Sequence, residues 1–316
     1  MEWKSWRPAA IVMAAVAAVV IPTTATLLSV KDPGKLFITS ANPTPYGYTI
    51  SLLLFIVPML FLIWWLIRNP DMPFQKKAFA KTLIILLPLG FLLDYAFGSV
   101  FFYFPNAGAT LEIFVTDMSG GKLPVEEFVF YLTGFVTVLL LYVWCDEYWM
   151  AAYNPMDYIK ESKSVERLFH FHWLSVVWGI GLILLASAYK WLFTEWDGWP
   201  LYFIYLVVAS FTPSAGLFCS TRRFINWRAF SFVLFFILLI SLIWEATLAS
   251  PYGWWRYHDE AMMGIYIGAW QRLPLEAVMV WVAVTYTTVI IFEAVKIWVA
   301  SKKSIKDACF GVSSTR

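Results

Sequence analysis

Leu123-Pro124-Val125-Glu126-Glu127 and Leu273-Pro274-Leu275-Glu276-Ala277 are two versions of one short stretch, 150 residues apart. Each lies where a polar loop gives way to a long apolar run. Proline suits the first turn of a helix, where its missing N–H would have had no partner. An acid in that same turn is favoured by the helix dipole. Each copy therefore predicts a helix start that sets a carboxylate at the edge of an apolar slab. A carboxylate at membrane depth is expensive and points to function.

Working outward, apolar runs near 20 residues mark membrane spans. Eight are predicted, at about 8–30, 47–68, 80–104, 124–146, 172–193, 201–220, 226–250 and 275–300. The composition agrees, with 60% hydrophobic and 14% charged residues and a mean hydropathy of +0.68. Soluble domains carry roughly 25% charged residues. The expected class is an all-α polytopic integral membrane protein. Lys4 and Arg7 before the first run resemble a signal peptide, but that run is too long for one and is read as a retained helix.

Loop charge sets the expected orientation. Lys31, Lys35, Lys122, Lys190, Arg256 and Arg272 fall on one side of an eight-span chain, and the other 17 of the 23 basic residues on the side of the termini. By the positive-inside rule both termini are cytoplasmic, as in a bacterial inner or plasma membrane. Asp146 and Glu147 at the cytoplasmic end of the fourth span are read as solvated.

The two halves look duplicated. Pro45 and Pro58 stand 13 apart, as do Pro200 and Pro213, and Arg68 and Arg223 each follow by ten. Asp94 precedes Pro124 by 30 residues and Glu245 precedes Pro274 by 29. Aromatics follow each acid: Phe101, Phe102 and Tyr103, then Trp254, Trp255 and Tyr257. Such ordered recurrence argues for an internal repeat. The expected division is 1–150, with a core at 45–146 behind an extra N-terminal helix; a cytoplasmic linker at 151–171; and 172–316, with a core at 200–300 preceded by a helix at 172–193. That helix restores the orientation of the second copy and makes the repeat parallel.

Several function classes are excluded. A net charge of +2 gives no nucleic-acid footprint. Cys145, Cys219 and Cys309 form no CxxC, and His170, His172 and His258 are too scattered for a histidine box, so no metal site is expected. No nucleotide- or flavin-binding glycine motif occurs, and no cofactor is evident. What remains is the acid set: Asp94, Glu126, Glu127, Glu245 and Glu276. Acids in an apolar pocket among π-faces suit protonation of an alkene and guidance of a carbocation. Phe102, Tyr103, Tyr131, Trp254, Trp255, Tyr257 and Trp281 are the candidate pocket aromatics. Interfacial belts also collect Trp and Tyr.

The paired Pro-x-Glu turns, each preceded by an acid-bearing helix and an aromatic cluster, resemble the membrane-embedded, non-flavoprotein lycopene cyclases, which occur as heterodimers in some bacteria and as fused chains in archaea and fungi. The match covers about 45–146 and 200–300. The resemblance implies a redox-neutral, acid-catalysed closure of a polyene ψ-end to a β-ring. The family's motif falls on Pro124, Glu126 and Glu127, and on Pro274 and Glu276. Its helix acid falls on Asp94 and, as Glu, on Glu245. On that reading Glu126, Glu127 and Glu276 supply proton donor and base, with Asp94 and Glu245 supporting. Ala277 departs from the pattern, where a second acid often sits. The expected partners are a lipophilic polyene and the bilayer, with a second copy of the chain left open. The alternatives are a related terpenoid cyclase, a small proton-coupled carrier, or a pigment-binding protein. A carrier needs a polar path to both faces, and a cyclase a dead-end apolar tunnel.

Overall fold

A computed structural model of the chain describes residues 44–154, 169–270 and 272–310, with Ala10, Met13, Ala14, Ala17 and Ile21. The expected first span, 8–30, and most of the linker at 151–171 lie outside the described residues. Among the described residues seven helices are long and apolar enough to cross a membrane: α1 (Gly47–Arg68), α2 (Lys76–Phe101), α3 (Val125–Trp149), α4 (Leu174–Phe193), α5 (Leu201–Thr221), α6 (Trp227–Ala249) and α7 (Leu275–Ser301). A short α8 (Ile305–Phe310) follows. The chain is an all-α polytopic protein of membrane type. Each helix satisfies its own backbone, which is what allows an apolar run to reside in lipid.

α3 and α7 are the most enclosed helices and form the centre of the bundle. They lie side by side in the same direction. Tyr142 Oη donates to Glu293 Oε1 at 2.9 Å, and Lys296 Nζ lies 3.1 Å from Asp146 Oδ2 and 2.8 Å from Glu293 Oε1. The Tyr142 and Phe292 rings also meet, at 6.1 Å between centroids. Asp146 is therefore not solvated: it is fully buried, as is Lys296, which was counted among the cytoplasmic loop charges. The pairing explains both, since a buried charge persists when its partner is buried beside it.

Three helices contain one π turn each, at Cys145–Trp149, Val207–Phe211 and Glu245–Ala249. Such turns cluster at functional sites, and two of these border the cavities described below.

The connections hold three two-stranded ribbons that sequence reading took as plain loops. β2 (Phe114–Thr116) pairs with β3 (Lys122–Pro124), and β5 (Tyr266–Ile267) with β6 (Leu273–Pro274). β1 (Phe102–Tyr103), after α2, pairs antiparallel with β4 (Arg256–Tyr257), after α6, and ties the halves together. Pro124 and Pro274 are not first-turn residues, as expected, but extended caps with φ −69° and −68° that close each ribbon. Proline can end a strand because the ladder asks no donor of it there. The next residue opens the helix: Val125 N–H donates to Ile113 O and Leu275 N–H to Ile265 O, both at 2.9 Å. In both halves the residue before that isoleucine has a left-handed backbone, Glu112 at φ 60° and Gly264 at φ 93°.

Candidate functional site

Distance from the cap decides what each carboxylate does: two residues for Glu126 and Glu276, three for Glu127. Glu126 and Glu276 stand second in their helices and turn toward the preceding loop. Glu126 Oε1 accepts from Leu111 N at 2.7 Å and from Thr49 Oγ1 at 2.5 Å. Glu276 Oε1 accepts from Met263 N at 2.5 Å. Both acids are buried and clamp their loops to the helix start. Glu127 stands one residue further, about 100° round the helix, and faces inward. Its counterpart in the second half is Ala277.

Inward lies a narrow cavity between α1, α3, α5, α6 and α7. Two carboxylates line it, Glu127 from the first half and Glu245 from the second. The rest of the lining is almost wholly aromatic, including Tyr48, Phe130, Trp244, Trp255 and Trp281. The rings support one another: Phe55 and Trp281 stack at 5.6 Å, and Phe130 meets Trp281 edge-on at 5.3 Å.

Tyr48 Oη donates to Glu127 Oε1 at 2.5 Å, which leaves Oε2 for the cavity. Glu245 is held at both oxygens: Tyr257 Oη donates to Oε2 at 2.6 Å and Trp281 Nε1 to Oε1 at 2.9 Å. Burial, with the Glu245 carboxylate beside it, holds the Tyr257 phenol well above its ordinary pKa, so it stays a donor. One acid therefore has an oxygen left to carry a proton, and the other is arranged to accept.

On its far side Glu245 borders a second space. A polar vestibule of about 690 Å³ lies under the second ribbon, lined by Arg256, Asp259, Tyr266 and Arg272, and shares Glu245, Trp255 and Tyr257 with the aromatic cavity. Tyr266 Oη donates to Asp259 Oδ1 at 2.8 Å. Glu245 is thus the boundary between an apolar chamber and a polar one.

Of the five acids singled out from sequence, the cavity brings together Glu127 and Glu245, while Glu126 and Glu276 turn from their helix starts to the loop backbone. Asp94 is buried on α2 and does not line the cavity. The Gly98 backbone passes so near that a Cβ there would meet Asp94 Oδ1 and Leu123 Cδ1 at 2.8 Å. Of the aromatics, Phe102, Tyr131, Trp255, Tyr257 and Trp281 line the cavity. Tyr103 lies in the vestibule. Trp254 is packed behind Tyr48 with its Nε1 donating to Thr44 Oγ1 at 2.9 Å. Sequence reasoning missed Tyr48, Phe130, Tyr202 and Trp244. A tyrosine opening an apolar run carries no mark that sets it apart from an interfacial anchor.

Asp117, in the connection between α2 and α3, is buried and organises the first ribbon's turn. Gly121 N–H donates to Oδ1 at 2.8 Å, and Ser119 N–H to Oδ1 and Ser99 N–H to Oδ2 at 3.0 Å. Burial pushes its pKa up, but hydrogen bonds from Ser99, Ser119 and Gly121 outweigh that and hold the carboxyl below its ordinary value. A carboxyl lowered on folding stabilises the turn above its unfolded pKa of about 4, and the benefit is lost as pH falls through the lower folded value. Amide exchange at Ser119 and Gly121, corrected for intrinsic rate, is therefore expected to accelerate below about pH 4. In Asp117→Asn it should be fast at neutral pH and change little on acidification. Unchanged exchange in the variant would remove Asp117 from this role.

No family model matches the chain, and neither a curated protein nor a solved structure matches it significantly.

Proposed function

We propose that the chain is a carotenoid end-group cyclase, closing the ψ-end of a lycopene-type polyene to a β-ring without redox change. One observation carries the reading: Glu127 and Glu245, one from each half, face a single apolar chamber walled by aromatic rings. The halves are read as a parallel duplication about an axis between α3 and α7, with both termini cytoplasmic and the ribbons on the opposite face.

The chemistry follows from the two carboxyl environments. Glu127, protonated at Oε2 while Oε1 accepts from Tyr48, donates its proton to the terminal double bond and leaves a tertiary cation. The neighbouring double bond attacks that carbon, closes the six-membered ring and moves the charge to the ring. π-Faces such as Trp281 and Phe130 stabilise it, an effect worth about 2 kcal/mol when desolvated. A base then takes the ring proton and the new double bond forms. Glu245, whose oxygens already accept two hydrogen bonds, suits that base, and the vestibule beside it offers a way for the proton to leave. One proton enters and one departs, so atoms and electrons balance.

The test is pigment extraction from a lycopene-accumulating bacterial host. Wild type is expected to yield cyclic carotene. Glu245→Gln should reduce the yield by about 10²-fold or more, the usual weight of an acid–base group, at equal protein in the membrane. Glu126→Gln and Glu276→Gln should act through lowered protein levels, in proportion to yield. Lycopene unchanged by well-inserted wild type would sink the lycopene reading. A carrier is disfavoured because the end of the α3–α7 seam away from the ribbons is filled by Tyr142, Phe292 and Lys296.

A further inference from the structure

Beside the aromatic chamber lies a second apolar space between α2 and α5, floored by α7. Tyr131, Phe135, Val280 and Val284 line both spaces and stand where the two adjoin, the place a neck would open for a substrate. Phe135 lies two turns along α3 from Glu127, so the passage leads about 12 Å deeper into the bundle. No charged side chain lines it. Two of its hydroxyls, Ser210 on α5 and Thr287 on α7, are 2.6 Å apart and bonded to each other, and Ser210 also bonds Ala283 O.

Small residues keep the passage open. Gly90 on α2 faces Ala209 and Ala283 on α5 and α7 as part of one lining. A Cβ at Gly90 would come within 3.0 Å of the Phe135 ring. Ala209 and Ser210 sit inside the π turn Val207–Phe211, where the helix is locally widened. At the mouth the surface is apolar: Leu89 is 44% exposed and Val208, next to Ala209, 59% exposed. A surface of this kind faces acyl chains when its helix spans a membrane.

We propose that this passage is a lateral portal through which an extended, unsubstituted polyene slides end-first from the lipid, with its acyclic end at Glu127 and Glu245 and the rest of its chain held between α2 and α5. The proposal rests on the cyclase reading and adds the route and the shape of substrate. The chamber accepts one end at a time, so a two-ringed product requires the chain to leave and return reversed. An end that carries a hydroxyl would have to give up its water to enter the apolar passage and is disfavoured.

The test uses the full-length chain in the lycopene-producing host, with the ratio of cyclic to acyclic carotene measured at matched membrane protein. Ala209→Trp, which fills the portal, is expected to cut cyclisation at least tenfold, and Leu185→Trp, on the exposed face of α4 and away from the portal, to leave it unchanged. Should Ala209→Trp fail to accumulate, Gly90→Leu and Thr287→Leu narrow the same slot from α2 and α7. Independently, a benzophenone amino acid replacing Leu89 should photo-crosslink to the polyene in preference to phospholipid. Wild-type yields from accumulated narrowing variants, or crosslinks to phospholipid alone, overturn the portal and leave the cyclase reading intact. No cyclic carotene from wild type overturns the cyclase reading and the portal with it.

Discussion

Glu127→Gln is expected to abolish ring formation while leaving the protein folded and lycopene bound. The amide keeps the size of the side chain and can still accept from Tyr48 Oη, which now donates at 2.5 Å. What it loses is an acidic proton on the atom turned to the cavity. General-acid catalysis contributes about 10²–10⁴-fold, and an alkene, a poor base, sets the demand at the upper end. The yield of cyclic carotene should fall by about 10³-fold or more, with the membrane-bound protein level unchanged. Tyr48→Phe is the graded companion. It removes one hydrogen bond and should cost about tenfold, equivalent to roughly 1.4 kcal/mol. Full cyclisation by Glu127→Gln would exclude Glu127 as the donor and return attention to Asp94.

The largest expected loss of stability lies at the opposite end of the same two helices. Lys296 is fully buried between Asp146 and Glu293, at 3.1 and 2.8 Å, with Glu147 also near. Lys296→Met keeps the apolar stem and removes the charge, which strands two buried carboxylates. Breaking a buried pair from one side costs about 3–5 kcal/mol, and the thermal transition in detergent should fall accordingly. The triple variant Lys296→Met, Asp146→Asn, Glu293→Gln should regain most of that loss, because the two carboxylates in contact with Lys296 lose their charge with it. A triple variant no more stable than the single one would show that packing, and not charge, is what Lys296 supplies. Because the cluster is remote from Glu127 and Glu245, the surviving folded protein should keep its cyclisation rate per molecule.

These two sites differ in how far a sequence can reveal them. The seven described helices were legible because a run of about 20 apolar residues has few other uses. The repeated turns were legible because proline and acid recur together. Which acid faces the chamber was not, since Glu126 and Glu127 are neighbours whose directions become meaningful only when the packing of α3 is known. Asp146 and Lys296 were assigned to solvated helix ends, because isolated charges at span boundaries usually sit there. Their pairing spans 150 positions of chain and leaves no local trace. The ribbons were hidden for a related reason. Strands of two or three residues are too short for alternation to register, and here they exist to give loop backbones partners beside the helix starts.

The Asp146–Lys296 contact also constrains how such a molecule can be assembled. The two residues are 150 positions apart, the same interval that separates Pro124 from Pro274, and they meet each other across the seam between α3 and α7. In a pairing of the first half with its own twin, the same place would bring aspartate against aspartate, buried and uncompensated, whereas Lys296 carries Glu293 beside it on its own helix. The first half is thereby chemically committed to the second. Produced as separate polypeptides, the halves should recombine as a one-to-one heteromer, with the first refusing self-association, and Asp146→Lys should abolish that recombination.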